Sequence, residues 1–346
     1  MKTVIITGVT GQDGSLMADY LLKNTDYNIL GAVRRLSVSN HQNISHISDP
    51  RFKLIDLDIS DPQSTNHVID TYRPDYFINF AANSFVGTSW EMPLNHMQNN
   101  CLAVMFQLEA IRKFAPKCRY YNAGSSEEFG DVVTVPQDET HPLRPRSPYG
   151  ASKAAARHIV KVWRDSYNLY AVQGWLFNHE GVRRGKDFVT RKITCGVARI
   201  ANDLKNGKTP APLELGNLSS KRDWSDAEDF VDGVWKMLNQ SIQPPLDYVL
   251  SSNETHTVRE FVQLAFAAAK IEGDWFGKEG TIGEALYHRE LKIPLVIVNP
   301  KFFRPAEVEL LLGDSTKARS HLNWMPKTTF FQLTKKMVDS DIKSCS

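Results

Sequence analysis

The stretch from Thr3 to Ser15 leaves few folds open to this chain. Thr3 to Ile6 is a short, apolar, β-branched run, the pattern of a buried parallel strand. Thr7-Gly8-Val9-Thr10-Gly11-Gln12-Asp13-Gly14-Ser15 follows, and then a helical repeat with Leu16, Tyr20 and Leu21 on one side. Gly8 lets the chain turn, Gly11 lets backbone approach a pyrophosphate, and Gly14 lets helix pack on strand. The helix start adds free N–H groups and the positive end of a dipole. A dinucleotide is therefore expected against Gly8, Thr10, Gly11, Gln12, Asp13 and Gly14.

The second expected strand, Asn28 to Val33, ends in Arg34-Arg35. An NAD site carries an acidic residue about 20 residues after the glycines, to hold the ribose 2′-hydroxyl. Two guanidinium groups at that place suit a 2′-phosphate instead, which points to NADP. A third strand, Phe52 to Leu57, delivers Asp58, whose carboxylate or carbonyl could accept from the adenine amino group. A fourth, Asp75 to Ala82, brings Ala81 and then Asn83 and Ser84 to the same edge. A helix from about Leu94 to Phe114 and strands Arg119–Ala123 and Tyr170–Leu176 continue the β-α alternation. The expected fold is α/β: a Rossmann-like, doubly wound parallel sheet whose strand ends line one crevice.

After Phe177 the pattern changes. A polar, basic loop runs to Gly185, and a helix is expected from about Thr190 to Leu204. Another covers Ala227 to Leu238, a strand Tyr248 to Ser251, and Thr257-x-x-Glu260 is a capping box. Gly273 to Leu295 shows no clear period. The expected division is a dinucleotide-binding domain at 1–176, with part of 225–265 returning to it. A smaller, mostly C-terminal α/β substrate-binding domain takes 177–224 and 266–346.

The chemistry is concentrated between Asn122 and Lys153. Tyr149 and Lys153 fall one helical turn apart on one face. An ammonium beside a phenol favours the phenolate, so Tyr149 is expected to take a proton near working pH. The preceding strand end supplies the Ser125 hydroxyl and the Glu127 and Glu128 carboxylates. Glu128 is read as structural, because neighbouring side chains on an extended segment point apart. His179 reads as a hydrogen-bonded loop residue, and Trp90 and Trp224 as packing groups.

Net charge of +2 gives no argument for nucleic acid or an anionic membrane. The basic residues pair up locally, at Arg34-Arg35, Arg183-Arg184, Arg191-Lys192 and Lys221-Arg222, which suits a small anionic ligand. No apolar run reaches the about 18 residues of a membrane span, and no signal peptide is visible. Cys101, Cys118, Cys195 and Cys345 lie far apart without metal spacing. The expectation is a cytoplasmic protein with reduced thiols and no metal.

Taken together, these residues resemble the extended short-chain dehydrogenase/reductase family, and within it the GDP-mannose 4,6-dehydratases. The shared segments span nearly the whole chain. They are the glycine-rich turn, Arg34-Arg35, Leu-Phe-Asn-His-Glu at 176–180, Arg-Arg-Gly at 183–185, Phe-Val-Thr-Arg-Lys-Ile at 188–193, Leu-Gly-Asn-Leu at 215–218, Lys-Arg-Asp-Trp at 221–224 and Arg-Pro-Ala-Glu-Val at 304–308. The resemblance implies oxidation at C4 of a GDP-sugar with Tyr149, Lys153 and Ser125, water loss through Glu127, and reduction at C6 with bound NADP. It implies that Asn178, Val189, Lys192, Arg222, Arg304 and Glu307, with Ser84, hold the nucleotide-sugar. It also implies a homo-oligomer, dimer or tetramer, built with the loop Leu36 to His46. Where this family commonly has Thr, Leu and Tyr, this chain has Ser125, Glu128 and Phe129. The string Ser-Ser-Glu-Glu-Phe-Gly is also similar to the GDP-4-keto-6-deoxymannose reductases. Phe85, Thr88 and Trp90 leave a longer sugar, such as a GDP-manno-heptose, open. A non-catalytic NADP-binding protein is the reading of another class, against which the intact Ser125, Glu127, Tyr149 and Lys153 set speaks.

Overall fold

The computed structural model describes residues 1–302 and 310–345. The chain begins β1 (Thr3–Thr7), α1 (Gln12–Asn24), β2 (Asn28–Val33), β3 (Phe52–Asp56), α2 (Pro62–Tyr72) and β4 (Tyr76–Asn79). Next come α3 (Pro93–Met97), α4 (Ala103–Phe114), β5 (Arg119–Ala123), α5 (Pro148–Tyr167), β6 (Ala171–Leu176) and β7 (Asn178–Glu180). The middle holds α6 (Val189–Lys205), β8 (Leu213–Leu215), β9 (Lys221–Arg222), β10 (Trp224–Asp226), α7 (Ala227–Leu238), β11 (Val249–Leu250) and β12 (His256–Thr257). The last elements are α8 (Val258–Ala268), β13 (Gly273–Phe276), β14 (Ala285–His288), β15 (Pro294–Val298), α9 (Thr316–Leu322) and α10 (Phe330–Cys345).

Seven strands form the main sheet in the order β11-β6-β5-β4-β1-β2-β3, with every pair parallel. The order reverses between β1 and β4, the switch point at which such sheets bind ligands. Successive β1 residues serve opposite faces. Val4 and Ile6 pack with α1 and α7, and Ile5 packs with residues of α2, α4 and α5. Ile5 and Ile6 are fully buried, worth roughly 2 kcal/mol each. A second sheet, β13-β14-β15-β8, packs against α6, α8 and α10 around a separate core that includes Ile193, Phe261, Val296 and Met337. Ala318, Leu322 and Trp324 lie in the first core instead, with Trp324 Nε1 donating to the Asp229 carbonyl at 2.8 Å.

Several elements differ from the sequence expectation. β4 stops at Asn79, because Phe80 to Ser84 leave the sheet to line the cleft. The helix expected over 94–114 is interrupted by a π-turn at Gln98–Leu102. There the Asn100 amide donates to the Asn83 carbonyl and to Ser152 Oγ, and accepts from Asn83 N, tying the loop after β4 to α5. The basic stretch after Phe177 opens as a strand, β7, paired with β10. The patternless stretch from Gly273 is β13, β14 and the start of β15.

Candidate active site

A cleft of about 1150 Å³ lies beside the strand ends of the main sheet and is lined also by residues of α6 and β8. The β1–α1 turn forms one wall. Gly8 has φ of +67°, and a Cβ there would fall 2.8 Å from Ala81 N. A Cβ on Gly14 would fall 2.3 Å from the Gly8 carbonyl. No side chain caps α1, and the Gln12 Oε1 atom is buried without a partner. A bare helix start, an orphaned acceptor and glycines packed too closely for side chains fit a dinucleotide pyrophosphate. Thr10, Gly11, Asp13, Arg34, Asp58 and Ala81 line the same wall. Arg35 is exposed and lies off it. The Asp58 carboxylate holds its own turn, accepting from Ser60 N at 2.9 Å and Ser60 Oγ at 2.7 Å.

The chain places Ser125, Glu127, Tyr149 and Lys153 together by two caps. Ser125 N-caps a short 3-10 turn, Ser126–Glu128, with its Oγ accepting from Glu127 N at 3.2 Å. Ser147 N-caps α5, its Oγ accepting from Gly150 N at 3.0 Å, with Pro148 in the first turn. Tyr149 and Lys153 are thereby fixed in the first turns of α5, both buried and both on the cleft. Tyr149 and Ser125 line the same cleft, and the Ser125 hydroxyl draws the phenol's pKa down. Lys153 Nζ donates to the Ala123 carbonyl at 2.8 Å and lies 5.9 Å from the Tyr149 ring centre.

The electrostatics correct one expectation. Burial pushes the Tyr149 phenol up to about 12, opposed first by the Ser125 hydroxyl, while Glu127 raises it further. Burial pulls Lys153 down to about 8, opposed by the Glu128 and Asp13 carboxylates. The ammonium is engaged by a backbone carbonyl, so in this cleft desolvation outweighs its pull on the phenol.

Ser84, Asn178, Val189, Lys192 and Arg222 also line the cleft. Lys192 Nζ sits 3.4 Å from the centre of the Phe302 ring, and burial lowers its pKa. Arg304 and Glu307 lie outside the described residues. Arg183 and Arg184, not among the expected ligand residues, also face the cleft. Arg184 lies 3.5 Å from the Phe188 ring centre, and Phe188 meets Phe85 edge-on at 5.8 Å. Their signal was visible as a local basic pair. Trp90 lines the cleft rather than serving packing alone, and Trp224, buried against Phe330, also touches it. His179 is hydrogen-bonded as expected, and Glu128 is wholly internal. Among the described residues no His, Cys, Asp or Glu group has the makings of a metal site, and no helix is long and apolar enough to cross a membrane.

The model of the family described as GDP-mannose 4,6 dehydratase matches residues 5–337. The GDP-mannose 4,6 dehydratase of Drosophila melanogaster is 43% identical over 351 positions, covering 99% of this chain and 86% of that protein. The human GDP-mannose 4,6 dehydratase is 39% identical, covering 99% of this chain and 92% of its own. Among solved structures, the UDP-glucose 4-epimerase of Thermotoga maritima with UDP-glucose matches at a TM-score of 0.81 and 20% identity, covering 99% of this chain and all of that one. That likeness speaks for the fold.

Proposed function

The chain belongs to the GDP-mannose 4,6-dehydratase family, and we propose that it converts GDP-mannose to GDP-4-keto-6-deoxymannose with NADP as a resident cofactor. The observation that carries the reading is one cleft holding the Ser125, Glu127, Tyr149 and Lys153 set at the sheet's switch point, together with Lys192 and Arg222.

When bound, the nicotinamide supplies the two-electron exchange, first at C4 of the hexose and then at C6. In its phenolate form Tyr149 takes the O4 proton, and Ser125 holds O4 through its hydroxyl. Lys153 fixes the wall of the site through Ala123 and, when protonated, offsets negative charge on the phenolate. With a ketone at C4, the C5 proton becomes acidic. Glu127 removes it and passes a proton to the departing C6 hydroxyl, which leaves as water. The proton that Tyr149 took from O4 goes to C5 as C6 is reduced, so one hexose loses one water and both Tyr149 and the cofactor end as they began.

NADP is the cofactor on the strength of Arg34, a guanidinium at the end of β2 on the cleft wall. Asn178, Val189, Lys192 and Arg222, with Arg304 and Glu307 by resemblance, take the nucleotide diphosphate. A homo-oligomer belongs to the same reading, supported by the exposed Leu36 and Val38 in the loop after Arg35. So does a reducing cytoplasm, which suits four free cysteines. The internal ion pair of Glu128 gives no support to a reductase, since its carboxylate does not face the cleft.

The test is incubation with GDP-mannose and no added cofactor. The expected product is lighter by one water, with no net change in NADPH. Intact GDP-mannose, alongside stoichiometric reduction of a 4-keto sugar, would replace the dehydratase with a reductase.

A further inference from the structure

The reaction above does not use Glu128, yet its carboxylate is fully buried directly behind Ser125. Its Oε1 accepts from Ser125 N at 2.8 Å and from Gln173 Nε2 at 3.1 Å. Its Oε2 accepts from Arg157 Nε at 2.5 Å. Arg157 is buried too, lies 3.3 Å from the Trp175 ring centre, and donates to the Gln173 and Gly174 carbonyls at 3.0 and 3.2 Å. Asp247, held by Arg164 at 2.8 Å, is 3.6 Å from Arg157, so the buried charges balance.

Two further features lead to the same spot. Thr7, Asn79, Asn122 and Gln173 are register partners across β1, β4, β5 and β6, and all are buried. Each bonds the next, at 2.6, 2.8 and 2.6 Å, and the row ends on Glu128 and the Lys153 carbonyl. Its other end receives Ala81 N, on the dinucleotide wall. In addition, a Cβ on Gly124 would lie 2.7 Å from Glu128 Oε1 and 2.8 Å from Arg157 Nη2. The backbone beside Ser125 is shaped to let the pair through.

We infer that Glu128, with Arg157, is a positioning residue for the reaction: it holds the Ser125 backbone so that the Ser125 hydroxyl and Glu127 stay at the cleft beside Tyr149. A buried ion pair contributes little to stability compared with apolar residues of like volume. Holding a backbone N–H at a catalytic turn is a role that apolar residues cannot fill. The inference rests on the dehydratase reading for its kinetic part, and on geometry alone for the rest.

The test is the double variant Glu128→Leu/Arg157→Leu, which leaves no buried charge unpaired, beside Arg157→Lys and Glu128→Gln. Expected for the double variant is a native fold with kcat lowered about 10²-fold and KM for GDP-mannose unchanged. Hydrogen exchange at the Ser125 amide should quicken. Glu128→Gln, which keeps an oxygen for Ser125 N–H, should recover most of kcat. A folded double variant with wild-type kcat, or with wild-type Ser125 protection, overturns the inference. If the double variant does not fold, Arg157→Lys decides: slower turnover at constant KM with faster Ser125 exchange supports it, and wild-type values of both overturn it. If the wild type leaves GDP-mannose untouched, the dehydratase reading falls, and Ser125 protection alone judges the positioning role.

Discussion

Asp13 and His179 meet at 3.0 Å, joining the glycine-rich turn to the strand that carries Asn178. The other ring nitrogen of His179 is 2.8 Å from the Phe177 carbonyl. Both nitrogens face acceptors, an arrangement that favours the protonated ring, and Asp13 raises the ring's pKa above its ordinary value. Phe230 stacks on it at 4.8 Å. The glycine-rich turn and β7, both on the cleft, are thus linked by one Asp13–His179 pair.

That link predicts a pH dependence. Burial lowers the pKa of His179, but Asp13 outweighs burial and leaves it raised above 6.5. Its stabilising effect is full below pH 6.5 and is lost as pH rises through the raised value. Burial works to raise Asp13, and His179 more than reverses that, taking it from 3.8 to about 2. The Asp13 contribution is present above 3.8 and is lost as pH falls toward 2. His179→Gln should therefore cost about 2 kcal/mol between these limits, and urea melts should show the gap closing above neutral pH. A gap that widens there would contradict the charged ring.

Tyr149→Phe should lower kcat at least about 10²-fold while the protein still binds cofactor and substrate. With Lys153 pulled down to about 8, the wild-type rate should fall off above that pH as the ammonium is lost. Lys153→Arg, slower throughout, should lack that alkaline limb in a pH–rate profile.

Glu127→Gln should separate the steps. Oxidation at C4 remains, while C5 deuterium uptake from heavy water and loss of the C6 oxygen stop. Wash-in of deuterium at the wild-type rate would assign the C5 proton to another group.

Arg34 and Arg35 should differ in cofactor choice, because only Arg34 is on the cleft wall. Arg34→Ala should lower affinity for NADP over NAD by about 10- to 10²-fold, the worth of one or two charged hydrogen bonds. Arg35→Ala should leave the ratio near its original value in a competition titration.

Local signals carried the first half of the fold well. β2, β5 and α7 fall on the residues that periodicity marks, and the Thr257–Glu260 capping box forms both its bonds. Gly8 and Gly14 stand out because both meet backbone too closely for a side chain. What local pattern could not carry depends on distant partners. β13 to β15 were illegible because their alternation is broken by a bulge at Leu286/Tyr287, and β15 pairs with β8 far back in the chain. The π-turn at Gln98–Leu102 is set by the reach of Asn100 to Asn83 and Ser152. The hydrogen-bond partner of Lys153 depends on a distant element too. Helical spacing brings it near Tyr149, but only the sheet shows that Ala123 offers its carbonyl. Glu128 read as structural, but its partner Arg157 lies on another helix, and no local spacing ties the two.

The placing of Trp324 in the first core has a consequence for biosynthesis. Its indole fills space beside Phe230 and anchors to Asp229, so the layer of helices over one side of the main sheet is finished only by residues near the end of the chain. The core around the seven-stranded sheet therefore cannot close on the ribosome until the chain has been made past Trp324, and a piece that ends before it would leave a hole under α7.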